Sequence, residues 1–303
     1  MKTNDLLLIT YLCLLLLGST IANAQSTKGE NAIVAPGAEL QQVAADYKFT
    51  EGPAADAQGN VFFTDQPNNR IMQWATDGTV SVFMEDAGRA NGLFFDQQGN
   101  LIACADEKNQ LWQISPDKEV TVLVNDFQGK RLNGPNDLWV DPRGGIYFTD
   151  PYYQRDYWAH TEKEIENERV YYLSPDKQKL TPVITDLVQP NGIVGTADGK
   201  QLYVADIGDK KIYVYQMNED GSLSDKQLFT DMGSDGLTLD NKGNVYLTGQ
   251  GVTVFNKQGE KIEHIDVDEG WTANVCFGGQ DRKTLFITAM KSLYTLDMQV
   301  EGM

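Results

Sequence analysis

The chain has 303 residues, of which 43 are acidic and 25 are basic, so its formal net charge is −18. This charge disfavours nucleic acid or an anionic lipid surface as a partner. Beyond the first residues of the chain, no segment is apolar and long enough to predict a membrane span.

The first 24 residues have the layout of a secretory signal peptide. Lys2 precedes an apolar stretch over residues 6–17, which is short for a membrane anchor, and Ala22-Asn23-Ala24 fits a cleavage site. We therefore expect residues 1–24 to be removed and residues 25–38 to form a linker. The mature protein should be exported, to the periplasm or beyond the cell, and should have no membrane span.

From Glu51 onward, one sequence pattern recurs six times. Each copy begins with an oxygen-bearing side chain, passes through a short apolar run to a turn, and continues into a stretch rich in β-branched and aromatic residues. The copies begin 39 to 55 residues apart, at Glu51, Asn91, Asn136, Asn191, Asp235 and Asn274. This period is typical of β-propellers, in which each repeat is one blade. We therefore predict an all-β fold over residues 39–303, a six-bladed β-propeller with four-stranded antiparallel blades.

The two ends of the repeat region predict how the ring closes. The sixth copy ends near Val300, before a complete outer strand, while the segment from Glu39 to Phe49 precedes the first copy and has no blade of its own. We expect this segment to supply the missing strand of the last blade. Such pairing removes an exposed sheet edge.

The first residues of the six copies predict a metal site. Each stands where the inner strand of its blade begins, so all six should surround one mouth of the central channel. Glu51 and Asp235 are carboxylates and the other four are amides, with no His or Cys. Such donors suit Ca²⁺, with Mg²⁺ as second choice and Mn²⁺ and Zn²⁺ less well matched. The alternative is that Asn and Asp merely cap turns at strand starts. We favour the metal because the pattern recurs in every copy.

Several short motifs carry a resemblance to a known family. They are EGP at Glu51, Arg89-Ala90-Asn91, GPND around Asn136, PNGI around Asn191, SDGL around Asp235 and the late FGGQDRKTLFITA. With them, the chain resembles the gluconolactonase and senescence-marker (regucalcin-like) lactonases, which are six-bladed propellers with a calcium ion at one channel mouth. The resemblance implies that Glu51, Asn136, Asn191 and Asp235 are the calcium ligands. It also implies substrate contacts at Arg89 and Asn91, with Glu107 as a further candidate whose match is less close.

Calcium at this mouth suits the opening of a sugar lactone by water. A Lewis acid polarises the lactone carbonyl, and a carboxylate beside it takes the proton of the attacking water. We expect Asp235 to be this base, because its short side chain leaves one oxygen near the open face, and Glu51 is the alternative. Two other functions remain open on the same site: a phosphotriesterase-like hydrolase similar to diisopropyl fluorophosphatase, and a ligand-binding propeller without activity.

The longest insertion lies in the third copy, over residues 151–169. The second strand of a blade ends on the face where the first begins, so the insertion should rise beside the same channel mouth. Its first half contains Arg155 and four aromatic residues, Tyr152, Tyr153, Tyr157 and Trp158. These residues suit contact with a sugar ring, but also packing of the loop on its own blade, and the sequence leaves both open.

Overall fold

The computed structural model describes residues 32–303, which form six four-stranded antiparallel sheets arranged as a six-bladed β-propeller. This confirms the predicted fold. The predicted signal peptide and residues 25–31 of the predicted linker lie outside the described residues. Among residues 32–303, no helix has the length and apolar character needed to cross a membrane.

The strands follow the repeats along the chain, and within each blade they run from the channel outward. The first blade has β2 (Thr50–Ala55), β3 (Val61–Asp65), β4 (Arg70–Trp74) and β5 (Val80–Glu85); the second has β6 (Ala90–Phe95), β7 (Leu101–Ala105), β8 (Gln110–Ile114) and β9 (Val120–Val124). The third has β10 (Leu138–Val140), β11 (Ile146–Asp150), β12 (Arg169–Leu173) and β13 (Leu180–Ile184); the fourth has β14 (Pro190–Gly195), β15 (Gln201–Asp206), β16 (Lys211–Met217) and β17 (Leu223–Thr230). The fifth has β18 (Leu237–Leu239), β19 (Val245–Gly249), β20 (Gly251–Phe255) and β21 (Lys261–Ile265). The sixth has β22 (Asn274–Gly278), β23 (Thr284–Ala289), β24 (Ser292–Asp297) and, outermost, β1 (Gln41–Ala44). Two short 3₁₀ turns, Gln66–Asn68 and Asp106–Lys108, follow β3 and β7.

The N-terminal strand closes the ring, as the sequence predicts. Strand β1 pairs with β24 in antiparallel register, with Gln41 opposite Thr295. The strand itself is shorter than the segment from Glu39 to Phe49. Residues just before it also contact the last blade, because Val34 forms a β-bridge with Met298. The outer edge of the sixth sheet is therefore covered.

Apolar cores lie between neighbouring sheets. Phe62 and Ile71 of the first blade pack with Leu101 and Ile114 of the second in one buried cluster. Phe63 and Trp74 of the first blade pack with Phe286 of the sixth in another. The contact that closes the ring is thus of the same kind as the contacts within it, which is how a propeller forms one domain.

Glycine lets the inner strands approach one another closely. It follows the first residue of the repeat in four copies, at Gly52, Gly92, Gly192 and Gly236. The Gly92 backbone N–H donates to the Asn136 carbonyl oxygen at 2.7 Å, and a Cβ atom on Gly92 would lie 2.6 Å from that oxygen. No larger residue fits there without moving the backbone. The close approach brings the first residues of the repeats together at one end of the channel.

Aspartates at the ends of second strands fasten the loop that leads into the same blade. Asp150 accepts hydrogen bonds from the backbone N–H groups of Asn133 and Gly134, at 3.0 and 2.8 Å. Asp65 and Asp206 each accept two backbone N–H groups from the loops that lead into the first and fourth blades. Since these carboxylates are buried, their hydrogen bonds offset the cost of removing the charge from water.

Candidate active site

A cavity of about 430 Å³ opens at the channel mouth where the inner strands begin. Five of the six residues that begin the repeats line it: Glu51, Asn91, Asn136, Asn191 and Asp235. The remaining lining residues are Phe49, Gln66, Pro67, Tyr153, Arg155, Ile207 and Trp271. The structure therefore brings together all four residues assigned as calcium ligands, and Asn91 with them.

Glu51 is a buried carboxylate held by two donors. Its Oε2 atom accepts hydrogen bonds from the Gly52 backbone N–H and from Asn274 Nδ2, the latter at 3.0 Å. Burial raises the pKa of Glu51 well above its ordinary value, and the nearby negative charges of Asp235 and Asp137 raise it further. Both causes disfavour the charged form, so the site favours a compensating positive charge.

Asp235 is the second carboxylate of the cavity. Its Oδ2 atom accepts the Trp271 indole N–H at 2.6 Å. Burial raises the pKa of Asp235 to about 6, although hydrogen bonds from Trp271 and Asn191 act in the opposite direction. Asn191 also donates from Nδ2 to the Tyr153 hydroxyl at 2.9 Å. Asp235 is therefore held in place while remaining a weaker acid than a solvated aspartate.

The sixth residue of the ring, Asn274, lies behind Glu51 and does not line the cavity. Its Nδ2 atom donates to Glu51, and its Oδ1 atom accepts the Val275 backbone N–H at 2.8 Å. Both ends of this amide are occupied, so it orients Glu51.

Sequence reasoning missed Asp137, a buried residue of the channel interior. Asp137 accepts the backbone N–H groups of Leu138 and Ile193 at 2.9 and 3.4 Å, and burial raises its pKa to about 7. One signal could have revealed it. In the third copy, Asp137 occupies the position where four other copies have glycine.

The donor atoms of the cavity fit a hard cation. The Oδ1 atom of Asn91, which is not among the four predicted cation ligands, is buried and accepts no hydrogen bond from the described residues, so it is open to a substrate group. No group of three or more His, Cys, Asp or Glu residues suited to a metal occurs in residues 32–303. The predicted ligand set has only two carboxylates, with amides supplying the other oxygens. Carboxylate and amide oxygens together are a donor set that Ca²⁺ accepts.

Arg89 and Glu107 lie together but do not line the cavity. Arg89 Nη1 donates to the Pro67 carbonyl oxygen at 2.9 Å, and its guanidinium carbon lies 4.4 Å from the centre of the Tyr157 ring. Arg89 Nε is 3.8 Å from Glu107 Oε1. The substrate contacts assigned to these two residues from the resemblance stay predictions.

The insertion of the third blade lines the cavity, and its aromatic residues Tyr157 and Trp158 hydrogen-bond to the second blade instead of its own blade. Tyr153 and Arg155 line the cavity. Tyr157 and Trp158 pack against the second blade, where the Tyr157 hydroxyl donates to Asp106 Oδ2 at 2.5 Å and the Trp158 indole N–H donates to the Asp106 carbonyl oxygen at 2.8 Å. The insertion is therefore fastened to the neighbouring blade and forms one wall of the cavity.

The fold and the site define a class of protein: six-bladed propellers with a cluster of oxygen donors at one channel mouth. The family model described as "SMP-30/Gluconolactonase/LRE-like region" matches residues 49–291, and the chain belongs to this family. It is similar to a protein of Zymomonas mobilis named gluconolactonase, with 29% identity over 316 residues that cover 94% of this chain and 88% of the relative. The resemblance seen in the sequence motifs is thus confirmed.

Solved structures show the same likeness. A gluconolactonase from Xanthomonas campestris superposes with a TM-score of 0.80 and 31% identity, covering 86% of this chain and 90% of that one. A regucalcin from Agrobacterium tumefaciens, described as a calcium-binding protein, gives a TM-score of 0.73 at 18% identity and covers 90% of this chain and 95% of that one. The second comparison shows the shared fold.

Proposed function

We propose that this protein is an exported, calcium-dependent hydrolase that opens sugar lactones. One observation carries the proposal: Glu51, Asn91, Asn136, Asn191 and Asp235 converge on one cavity. Membership of the gluconolactonase family supports the reaction class. Export rests on the sequence of residues 1–24 alone.

Four side chains of the cavity would hold the cation: Glu51, Asn136, Asn191 and Asp235. Two carboxylates balance the charge of a divalent ion, and the amides add neutral oxygen donors. All donors are oxygens and no His or Cys lines the cavity in the described part of the chain, which disfavours Zn²⁺. We choose Ca²⁺ over Mg²⁺ and Mn²⁺ because Ca²⁺ accepts amide oxygens in irregular geometry. When bound, the cation supplies Lewis acidity toward the lactone carbonyl oxygen.

The protein's own residues supply the proton transfer. Asp235 accepts the proton of the attacking water on its carboxylate, while Trp271 holds Oδ2 through the indole N–H. Water adds to the carbonyl carbon, the ring C–O bond breaks, and the proton passes to the leaving alkoxide to give a hydroxy acid. Glu51 is held by Gly52 and Asn274, which suits a ligand that must not move.

The cavity walls suit a sugar ring. Trp271, Tyr153 and Phe49 present apolar and aromatic surface, and Asn91 presents its buried, unpartnered Oδ1 atom. A polyhydroxylated ring has both a C–H face that packs on aromatics and hydroxyl donors for such an acceptor. Asn91 is therefore the substrate contact that the geometry supports best.

A panel assay tests the proposal. Purified protein is mixed with γ- and δ-lactones and with a fluorophosphate, and proton release is followed in a pH-stat with calcium, with chelator, and after calcium is restored. We expect lactone hydrolysis that chelator abolishes and calcium restores. Cleavage of the fluorophosphate alone would replace lactonase by the phosphotriesterase-like function, and calcium-dependent ligand binding without turnover would favour the binding propeller.

A further inference from the structure

We propose that Arg155, and not Arg89, supplies the guanidinium that contacts substrate, and that it recognises ring hydroxyl oxygens. This inference rests on the proposed lactonase function. Its starting point is the geometry of Arg155, whose Nε donates to Asp106 Oδ2 at 2.9 Å while its side chain lines the cavity. Among residues 32–303, neither Nη atom of Arg155 has a hydrogen-bond acceptor. A fixed guanidinium with free donors beside a cavity is ready to bind oxygen acceptors.

Arg89, in contrast, does not line the cavity, although its buried Nε atom also has no hydrogen-bond partner among the described residues. One Nη donates to the Pro67 carbonyl oxygen, and the Tyr157 ring lies 4.4 Å from the guanidinium carbon. Tyr157 belongs to the same insertion as Arg155. The insertion therefore covers one arginine and brings the other to the cavity.

Asp106 is the residue that fixes Arg155 beside the cavity. It occupies the position at which Asp65, Asp150 and Asp206 each accept two backbone N–H groups from the loop that leads into their own blade. In the second blade the equivalent residues are Gly88 and Arg89, and the Arg89 N–H donates instead to Asn69 Oδ1 at 2.6 Å. The buried Asp106 carboxylate accepts Arg155 Nε and the Tyr157 hydroxyl from the insertion, and Gln66 Nε2 more weakly at 3.4 Å. Asp106 is thus a positioning residue that acts through Arg155.

The charge of the pair indicates which substrate atoms it recognises. Asp106 balances the positive charge of Arg155, so the pair offers directed N–H donors with no net charge. Directed donors without net charge suit neutral hydroxyl oxygens better than an anionic group. Arg155 lines the same cavity as Glu51 and Asp235, where the proposed reaction needs the lactone carbonyl, and its positive charge acts to lower the pKa of Asp235. Since the four proposed cation ligands bind the carbonyl end, we assign the ring hydroxyls to Arg155. The substrate class is therefore a lactone with ring hydroxyls.

Binding of a ring without a carbonyl tests this directly. Isothermal titration with 1,5-anhydroglucitol is compared for the calcium-loaded wild type, Arg155→Met and the matched control Arg89→Met. We expect Arg155→Met to weaken binding about tenfold or more, the scale of a lost hydrogen bond to a charged group. Arg89→Met should stay within about twofold of the wild type. Arg155→Lys should retain part of the affinity, because it keeps the charge but loses the guanidinium geometry.

Kinetics give a second readout. Arg155→Met should raise KM for glucono-δ-lactone about tenfold and leave KM for δ-valerolactone, which has no ring hydroxyls, unchanged. Asp106→Asn should weaken probe binding in the wild-type background and add nothing in the Arg155→Met background. If it weakens binding equally in both backgrounds, Asp106 does not act through Arg155 and that part is wrong.

The remaining outcomes separate this inference from the proposed function. Loss of probe binding in Arg89→Met but not in Arg155→Met overturns the assignment, and so does a wild type that does not bind the probe. Equal KM increases for both lactones would place Arg155 on the lactone group and overturn the hydroxyl contact. If Arg155 governs probe binding but no lactone is hydrolysed, the lactonase proposal fails and the assignment of Arg155 stands.

Discussion

Replacing Asp235 by Asn separates the roles of base and ligand. Asp235 Oδ2 accepts the Trp271 indole N–H at 2.6 Å, so an Asn there must turn its carbonyl oxygen toward Trp271 and its amide nitrogen toward the cavity. That nitrogen cannot accept a proton from water. We expect turnover of the preferred lactone to fall about 10² or more, the usual value of general base catalysis.

The pH profile adds an independent measure of the same base. Burial raises the pKa of Asp235 to about 6, and a bound divalent cation favours the charged form and lowers it again. The wild-type rate should therefore decrease as the pH falls through about 6 or below, because the base becomes protonated. Asp235→Asn should lack this decrease.

The assay is proton release at saturating calcium, with calcium affinity measured separately by titration calorimetry. Trp271→Phe is the control variant, since it removes the indole N–H but keeps the carboxylate, and it should lose less than Asp235→Asn. If saturating calcium restores full turnover to Asp235→Asn, the residue is only a ligand. The base must then be sought at Glu51.

Three further predictions concern stability. Gly92→Ala should lower the free energy of unfolding by about 1 to 3 kcal/mol in urea titration, because its Cβ would lie 2.6 Å from the Asn136 carbonyl oxygen; Gly270→Ala, which meets no atom within 4 Å, should be nearly neutral. Burial raises the pKa of Asp150 from its ordinary 3.8 to about 7, so the folded state holds this proton more tightly than the unfolded chain. The wild type should therefore lose stability relative to Asp150→Asn as the pH rises from about 4 to about 7, and a constant difference would contradict the shift. Calcium at about a hundredfold excess over Kd should stabilise the wild type by about 2.7 kcal/mol, and thermal unfolding should show little of this gain in Glu51→Gln.

Much of the fold could be predicted because a propeller repeats in the sequence as it repeats in space. Six copies of one pattern predict six blades, and the unmatched segment before Glu51 predicts the strand that closes the ring. The same repetition predicts that Glu51, Asn136, Asn191 and Asp235 meet at one channel mouth, since equivalent positions in a ring lie at equivalent depths.

Only the tertiary structure shows where side chains at equivalent positions of the six repeats make different contacts. Asn274 begins a repeat like the other five, yet it turns its amide onto Glu51 and does not line the cavity. Asp106 directly follows β7 at the repeat position that Asp150 has at the end of β11, yet it holds Arg155 because the neighbouring blade carries a long insertion there. The substrate contact that the sequence motifs assign to Arg89 stays a prediction, while the structure shows that Arg155 lines the cavity and that the Tyr157 ring lies 4.4 Å from the Arg89 guanidinium carbon. Repeat position determines where a backbone lies in the ring, but the direction of a side chain depends on contacts with other blades, which residues distant in sequence supply.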